Sequence, residues 1–252
     1  MKKIIAGLLC ATMMASMLAA CGSKSTDTAS KGKDGTYTIG ICQLVQHPAL
    51  DAATEGFKDA LKDKLGDKVT FDEQNAAGDS ATCATICNGF VSSGYDLILA
   101  NATPALQAAT AATADIPIIG TSVTDYATAL SIKDWKGTTG VNVTGTSDLA
   151  PLDQQAAMVK ELFPNAKNVG ILYCSAEANS KYQADKVTKY LEDEGYKVSS
   201  YTFSDSNDVA TVTQTACDGS DVLYIPTDNT AANCTENINN VALAAKVPII
   251  AG

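Results

Sequence analysis

The chain has 252 residues, 46% hydrophobic and 18% charged, with a formal net charge of −10. That length is enough for two compact lobes, while a negative balance without clustered basic residues excludes nucleic acid as a natural partner. One histidine and no CxxC pair leave no sequence basis for a metal centre.

Lys2 and Lys3 precede an apolar stretch, residues 4–18, that is too short to span a bilayer. Leu18-Ala19-Ala20-Cys21 then sets small residues before a cysteine, which resembles a bacterial lipoprotein signal. Residues 1–20 are read as the signal peptide and Cys21 as the lipidated first residue of the mature protein, on the outer face of the bacterial cytoplasmic membrane. An ordinary secretory signal cleaved after Ala20 is the alternative. Residues 21–35, rich in Ser, Lys, Thr, Gly and Asp, read as a flexible tether. No later stretch is long and apolar enough to cross a membrane.

Residues 37–42 form an apolar run of strand length, and Leu50, Ala53, Phe57, Leu61 and Leu65 recur at helical steps. The loop between them, residues 43–48, is a pocket candidate, because ligands bind at the carboxyl ends of strands in open parallel sheets. Residues 68–74 are a second strand, and Asp79 caps a helix running to about Ser93. A third strand, 97–100, ends in Asn101-Ala102-Thr103-Pro104, where Thr103 is the expected N-cap and Pro104 the first residue of a helix through 113. Residues 116–120 are a fourth strand, followed by the polar loop Thr121-Ser122-Val123-Thr124-Asp125. Between 134 and 148 glycines interrupt the pattern, with one strand-like piece at 140–144, and the crossover between lobes is placed here. A helix over 151–163 is expected to bury Met158, Leu162 and Phe163.

The opening pattern then begins again. Strands are predicted at 168–173, 197–203, 221–226 and 247–251, and helices at 179–194, 208–218 and 230–244. Ile116-Pro117-Ile118-Ile119-Gly120 corresponds to Val247-Pro248-Ile249-Ile250-Ala251. Such a duplication of βαβ units indicates an α/β chain of two doubly wound, Rossmann-like lobes, residues 36–148 and 149–252, with a ligand cleft between them. The first half runs on past its Ile-Pro-Ile-Ile-Gly strand whereas the second stops at Gly252, so the second lobe is expected to be truncated. The six cysteines beyond Cys21 read as small apolar filler rather than a disulfide framework.

Enzyme motifs are missing. The turn after Gly40 has no glycine, and neither a GxxxxGK[ST] loop nor a GxSxG elbow occurs. Any histidine-dependent nucleophile would rest on His47 alone. Asp51 with Glu55, and Glu192 with Glu194, are spaced as solvated helix faces. The chain reads as a binding protein without cofactor or catalytic residues.

Five segments together resemble one family: Ile39-Gly-Ile-Cys-Gln-Leu-Val-Gln-His-Pro-Ala-Leu-Asp, Asn101-Ala-Thr-Pro-Ala-Leu-Gln, Asn142-Val-Thr-Gly-Thr-Ser-Asp-Leu, Ser175-Ala-Glu-Ala-Asn-Ser and Pro226-Thr-Asp-Asn-Thr. They look like the signature segments of ABC-transporter substrate-binding lipoproteins of the tryptophan/tyrosine type. The resemblance implies the type I periplasmic-binding-protein fold and capture of an aromatic amino acid by lobe closure. It also implies delivery to a permease with a separate ATPase. A lipid-anchored sensor module for a small solute is the alternative. Cys42 and Cys174 depart from the family, which more often has small or polar residues at those strand ends.

With that resemblance, the charges of a whole amino acid assign roles. Its carboxylate suits hydroxyls and free N–H groups at helix N-termini, which Thr103 and Ser122, with Thr121 beside them, supply in the first lobe. Its ammonium needs an acidic partner, and Asp228 at the matching strand end of the second lobe is the expected one. Gln43, His47, Gln107, Asp125, Glu177, Asn179, Ser180, Thr227 and Asn229 are further pocket candidates by position and by resemblance. Tyr126 and Tyr173 are readable either as an aromatic wall or as core.

Overall fold

The computed structural model describes residues 35–252; the expected signal peptide, Cys21 and the tether up to residue 34 lie outside the described residues. The first lobe opens with β1 (Tyr37–Gln43) and α1 (Pro48–Leu65). Ile39 and Ile41 on one face of β1 pack with Phe57, Leu61 and Leu65 of α1, so the two-residue period of the strand meets the apolar stripe of the helix. On the other face lies α2 (Ser80–Ser93). Gly40 sits under the Phe90 ring, where a Cβ would fall 2.5 Å from ring atoms, so the absent side chain sets how closely α2 approaches the sheet.

β2 (Val69–Asn75), β3 (Leu97–Asn101), α3 (Thr103–Ala112), β4 (Ile118–Val123), the short α4 (Tyr126–Ala129) and β5 (Val143–Ser147) complete this lobe. Its sheet is parallel throughout, in the order β2-β1-β3-β4-β5. The second lobe contains α5 (Leu152–Leu162), β6 (Asn168–Cys174), α6 (Ala178–Asp193), β7 (Lys197–Phe203), α7 (Val209–Gly219), β8 (Val222–Ile225), α8 (Asn229–Asn233), α9 (Thr235–Ala245) and β9 (Ile249–Ala251). Its parallel sheet runs β7-β6-β8-β9, the same order as the first four strands of the other lobe. The repeat legible in the sequence is therefore a repeat of topology. In each sheet the order reverses beside the first strand, between β1 and β3 and between β6 and β8. Such switch points open crevices at the strands' carboxyl ends.

Several elements depart from expectation. Leu152, Ala156 and Val159 form the buried face of α5, while Met158 is 42% and Leu162 55% exposed. Two apolar stripes run along that helix, and the one of Leu152, Ala156 and Val159 shares the core with Val169 and Ile171 of β6, with Phe163 packed partly against it. The last long helix breaks at Cys234 into α8 and α9. The strand-like piece in the glycine-rich stretch is β5, the edge of the first sheet. Thr103 is the first residue of α3 rather than its cap, and no side chain caps that helix. All six described cysteines are buried and unpaired. Three of them, Cys42, Cys83 and Cys87, share one core cluster, where hydrogen bonding to Cys83 and then Cys87, with burial, pushes the Cys42 thiol far up.

Candidate functional site

Gln43 ends β1 at the first switch point, yet its side chain turns inward. Nε2 donates to Asp51 Oδ1 at 2.7 Å and to Val45 O at 3.0 Å, and Oε1 accepts from Thr54 Oγ1 at 2.7 Å. Asn101, at the end of β3, donates through Nδ2 to Leu50 O at 2.8 Å and Thr54 Oγ1 at 2.9 Å. These buried bonds tie α1 to β1 and β3. Gln43 is thus an internal brace of the first lobe rather than a cleft contact, since its amide is spent at both ends.

The neighbouring strand ends hold unusual backbone. Ala102 has φ of 89° and Ser122 of 54°, conformations that cost a residue with a side chain on the order of 1 to 3 kcal/mol. Both lie at carboxyl ends of central strands, after β3 and within the bulged end of β4. The bend at Ala102, whose N–H donates to Thr121 O at 3.0 Å, starts α3 at Thr103. Thr103 is 2% exposed, and Thr121 and Ser122 are half-buried. Gln107 and Asp125 have local duties. Gln107 Nε2 donates to Ala129 O at 3.2 Å, and Asp125 Oδ1 accepts from Thr128 N at 2.7 Å, capping α4. Tyr126 donates to the Gly120 and Thr146 carbonyls, and Tyr173 is buried in the second lobe; both are core.

In the second lobe the candidates converge. Glu177 accepts from Thr230 N and Oγ1 through Oε1, and from Asn229 N, Asn229 Nδ2 and Asn179 Nδ2 through Oε2. Asp228 accepts from Cys174 N and Ala231 N, both at 2.7 Å. Its two oxygens therefore staple the start of α8 to the end of β6. Burial, then the neighbouring Glu177 charge, pushes the Asp228 carboxyl up to about 7. Thr227 is clamped by Gln183, which accepts from its N–H and donates to its carbonyl. Ser180 is fully buried, and Asn179 is 4% exposed with no donor to its Oδ1.

The lobes touch across this region. His47 Nε2 stands 3.5 Å from Asn229 Oδ1, and α3 and α4 pack against α6. A cavity of about 380 Å³ lies between the lobes, with Leu44, Val45 and Pro104 on one wall and Cys174, Glu177 and Asn229 on the other. A second, of about 410 Å³, holds His47, Thr227, Asp228 and Asn229 in its wall. Asn229 borders both. Each volume falls in the usual range for a small-molecule site, about 300–1,000 Å³. Thr103, Thr121, Ser122, Gln107, Asp125, Asn179 and Ser180 line neither. Leu44 and Val45, within the 43–48 loop expected from its position, and Cys174, at the end of β6, contribute apolar wall rather than polar contact. Among the described residues no cluster of ligating side chains could hold a metal.

The sequence model of the family described as ABC transporter substrate binding protein matches residues 38–252. A tyrosine-binding protein of Clostridioides difficile (strain R20291) is 40% identical over 258 residues, covering 99% of this chain and 74% of that protein. An ABC domain from Streptococcus pneumoniae in complex with L-Trp is 36% identical with a TM-score of 0.81, covering 86% of this chain and 74% of that one. The ligand-free, open structure of a Clostridium difficile substrate-binding protein with adhesive properties is 40% identical over the same shares, with a TM-score of 0.58. Of these two structures the one nearer in sequence superposes less well.

Proposed function

We propose, from the premise that this chain belongs to the ABC transporter substrate-binding proteins, that it captures a free aromatic amino acid, tyrosine or tryptophan, between its lobes for import. The observation that carries this reading is the pairing of 40% identity to a tyrosine-binding protein with a TM-score of 0.81 to a structure solved in complex with L-Trp. Ligand entry draws the lobes together, and the closed form is what a membrane permease with a separate ATPase receives. The work is binding and release, without turnover. A lipid on Cys21 holds the protein at the outer face of the cytoplasmic membrane, beside that permease.

The composition constrains how the ligand is held. The chain has 18 lysines and no arginine, so none of its own residues offers the carboxylate a guanidinium fork. No lysine lines either cavity, so neutral donors are the ones at hand, and the Thr103 and Ser122 hydroxyls with the N–H groups opening α3, next to Pro104 in the wall of the first cavity, are the set proposed in the first lobe. In the second lobe Glu177 and Asp228 are buried acids that no described lysine pairs within 4 Å. Their uncompensated charge favours a cation in the cleft.

Calorimetric titration with tyrosine, tryptophan, phenylalanine and leucine tests the reading, backed by thermal unfolding. A ligand at a hundred times its Kd adds about 2.7 kcal/mol of stability. Selective binding of tyrosine or tryptophan is the expected result; no response to any amino acid would overturn it.

A further inference from the structure

Cys42, Cys83 and Cys87 are three thiols brought together by one close approach. Cys42 stands two residues from Gly40, on the face of β1 that meets α2, and Cys83, Cys87 and Phe90 recur at helical steps along the face of α2 that meets β1. With no side chain at Gly40 the Phe90 ring lies directly on the strand, and the preceding turns of α2 are carried down onto Cys42. All three cysteines are fully buried in one core cluster. The Cys42 thiol hydrogen-bonds with both of the others.

Geometry ranks the possible pairs. Cys83 and Cys87 lie one turn apart on the same helix, which sets their Cβ atoms about 5–6 Å apart, outside the roughly 3.5–4.5 Å that a disulfide spans. Any bond among the three therefore includes Cys42. The hydrogen bonds choose between its two partners. The bond with Cys83 does most to raise the Cys42 thiol, and the same bond holds the Cys83 thiol below its ordinary value. Cys42 is thus the donor and Cys83 the sulfur with the greater thiolate character, the form that attacks in thiol–disulfide exchange.

The place of this pair gives it a consequence. Leu44 and Val45, just after Cys42, and residues 77–81, just before Cys83, line the first cavity between the lobes. Backbone hydrogen bonds join the two segments: Ala76 N–H donates to Gln43 O at 2.9 Å and Gly78 N–H to Leu44 O at 2.8 Å. A bond from Cys42 to Cys83 closes a covalent ring around them.

We propose that Cys42 and Cys83 are a thiol–disulfide site, which under oxidising conditions forms a disulfide that braces the first-lobe wall of the cavity and leaves Cys87 a thiol. The form described here is the reduced one, with both thiols free. Cys83, as thiolate, attacks an external disulfide to give a mixed disulfide and releases one thiol; Cys42 then loses its proton, attacks the Cys83 sulfur and displaces the second. One S–S bond forms within the chain and one breaks outside it, so two cysteine sulfurs are oxidised while the external disulfide is reduced to two thiols. Because α2 seals the pair against β1, the oxidant meets these sulfurs during folding, before the helix docks. The site stands whatever ligand the cleft takes.

The test refolds the full chain, reduced in urea, by dilution into reduced and oxidised glutathione, then alkylates it and digests it with trypsin without further reduction. Cleavage after lysine puts Cys42 in the peptide 34–58 and both Cys83 and Cys87 in the peptide 69–133. The expected product joins these two peptides through Cys83, with the alkyl label on Cys87, which mass-spectrometric fragmentation between residues 83 and 87 reads. The bond should survive Cys87→Ala and vanish in Cys83→Ala. A refolded wild type that regains its cooperative unfolding transition yet carries label on all three cysteines overturns the proposal, and so does a bond from Cys42 to Cys87. Both readings come from wild type, so misfolding of a variant cannot mask them. Thermal unfolding with and without dithiothreitol reads the bracing: the oxidised form should melt at the higher temperature, and equal midpoints would show that the bond braces nothing.

Discussion

His47 Nε2 and Asn229 Oδ1, 3.5 Å apart, make the one side-chain hydrogen bond that joins the two lobes among the described residues. His47 occupies the cap position of α1 without capping it, and Asn229 is held in place by Glu177. Each end of the contact is thus anchored to its own lobe, so the contact ties the two lobes together. Replacing either residue by alanine should weaken ligand binding by about 0.5 to 1.5 kcal/mol. Replacing both should cost little more than replacing one, because the partners share a single interaction. A double-mutant cycle by calorimetry measures this; fully additive losses would show that the contact contributes nothing to the closed form.

Glu177 ties the start of α6 to the start of α8. Five donors converge on its carboxylate, four of them from Asn229 and Thr230 at the start of α8. Glu177→Ala leaves those half-buried donors without their acceptor, so a loss of stability on the order of 2 kcal/mol is expected in urea unfolding. Glu177→Gln, which keeps the shape and one acceptor, should lose less. Equal effects of the two would mean that packing, not hydrogen bonding, sets the value.

Gly40 and Phe90 make a third case. Phe90 is 1% exposed and has no room to move away from a Cβ at position 40. Gly40→Ala is expected to destabilise by about 1 to 3 kcal/mol through overpacking. In a Phe90→Ala background the same change should cost far less, since the cavity accepts the methyl. Thermal or denaturant unfolding of the four variants checks it, and an unchanged cost would place the strain somewhere other than the ring.

These residues also show which parts of the structure were legible in the chain. β7 occupies the predicted 197–203, and Asp79 caps α2 as expected, because strand period and cap chemistry are local. The break at Cys234 and the buried face of α5 were not legible, since periodicity does not say which of two stripes meets a sheet. The site was legible only in outline. A polar side chain at a strand's carboxyl end reads equally as a ligand contact or as an internal tie. Thr54, eleven residues from Gln43, and Asn229 and Thr230, 52 and 53 residues from Glu177, are the partners that decide it. Nothing in the local sequence announces them.

Asp228 gives the protein a pH dependence with a definite sign. Burial and the Glu177 charge raise its carboxyl from the ordinary 3.8 to about 7. Between those values the folded chain holds a proton that the unfolded chain has released, so the stabilising contribution is complete below about pH 4 and is lost as pH rises through 7. Wild type should therefore lose on the order of 3 kcal/mol relative to Asp228→Asn between pH 5 and pH 8 in urea unfolding. A wild-type-minus-variant difference that stays flat with pH would refute the assignment. The same proton couples to the ligand. An ammonium group nearby favours the ionised carboxylate, so tyrosine binding should tighten from pH 6 to 8 with release of a proton to the buffer. The desamino analogue of tyrosine, which keeps ring and carboxylate and lacks the ammonium, should show no such linkage, and neither should tyrosine with Asp228→Asn.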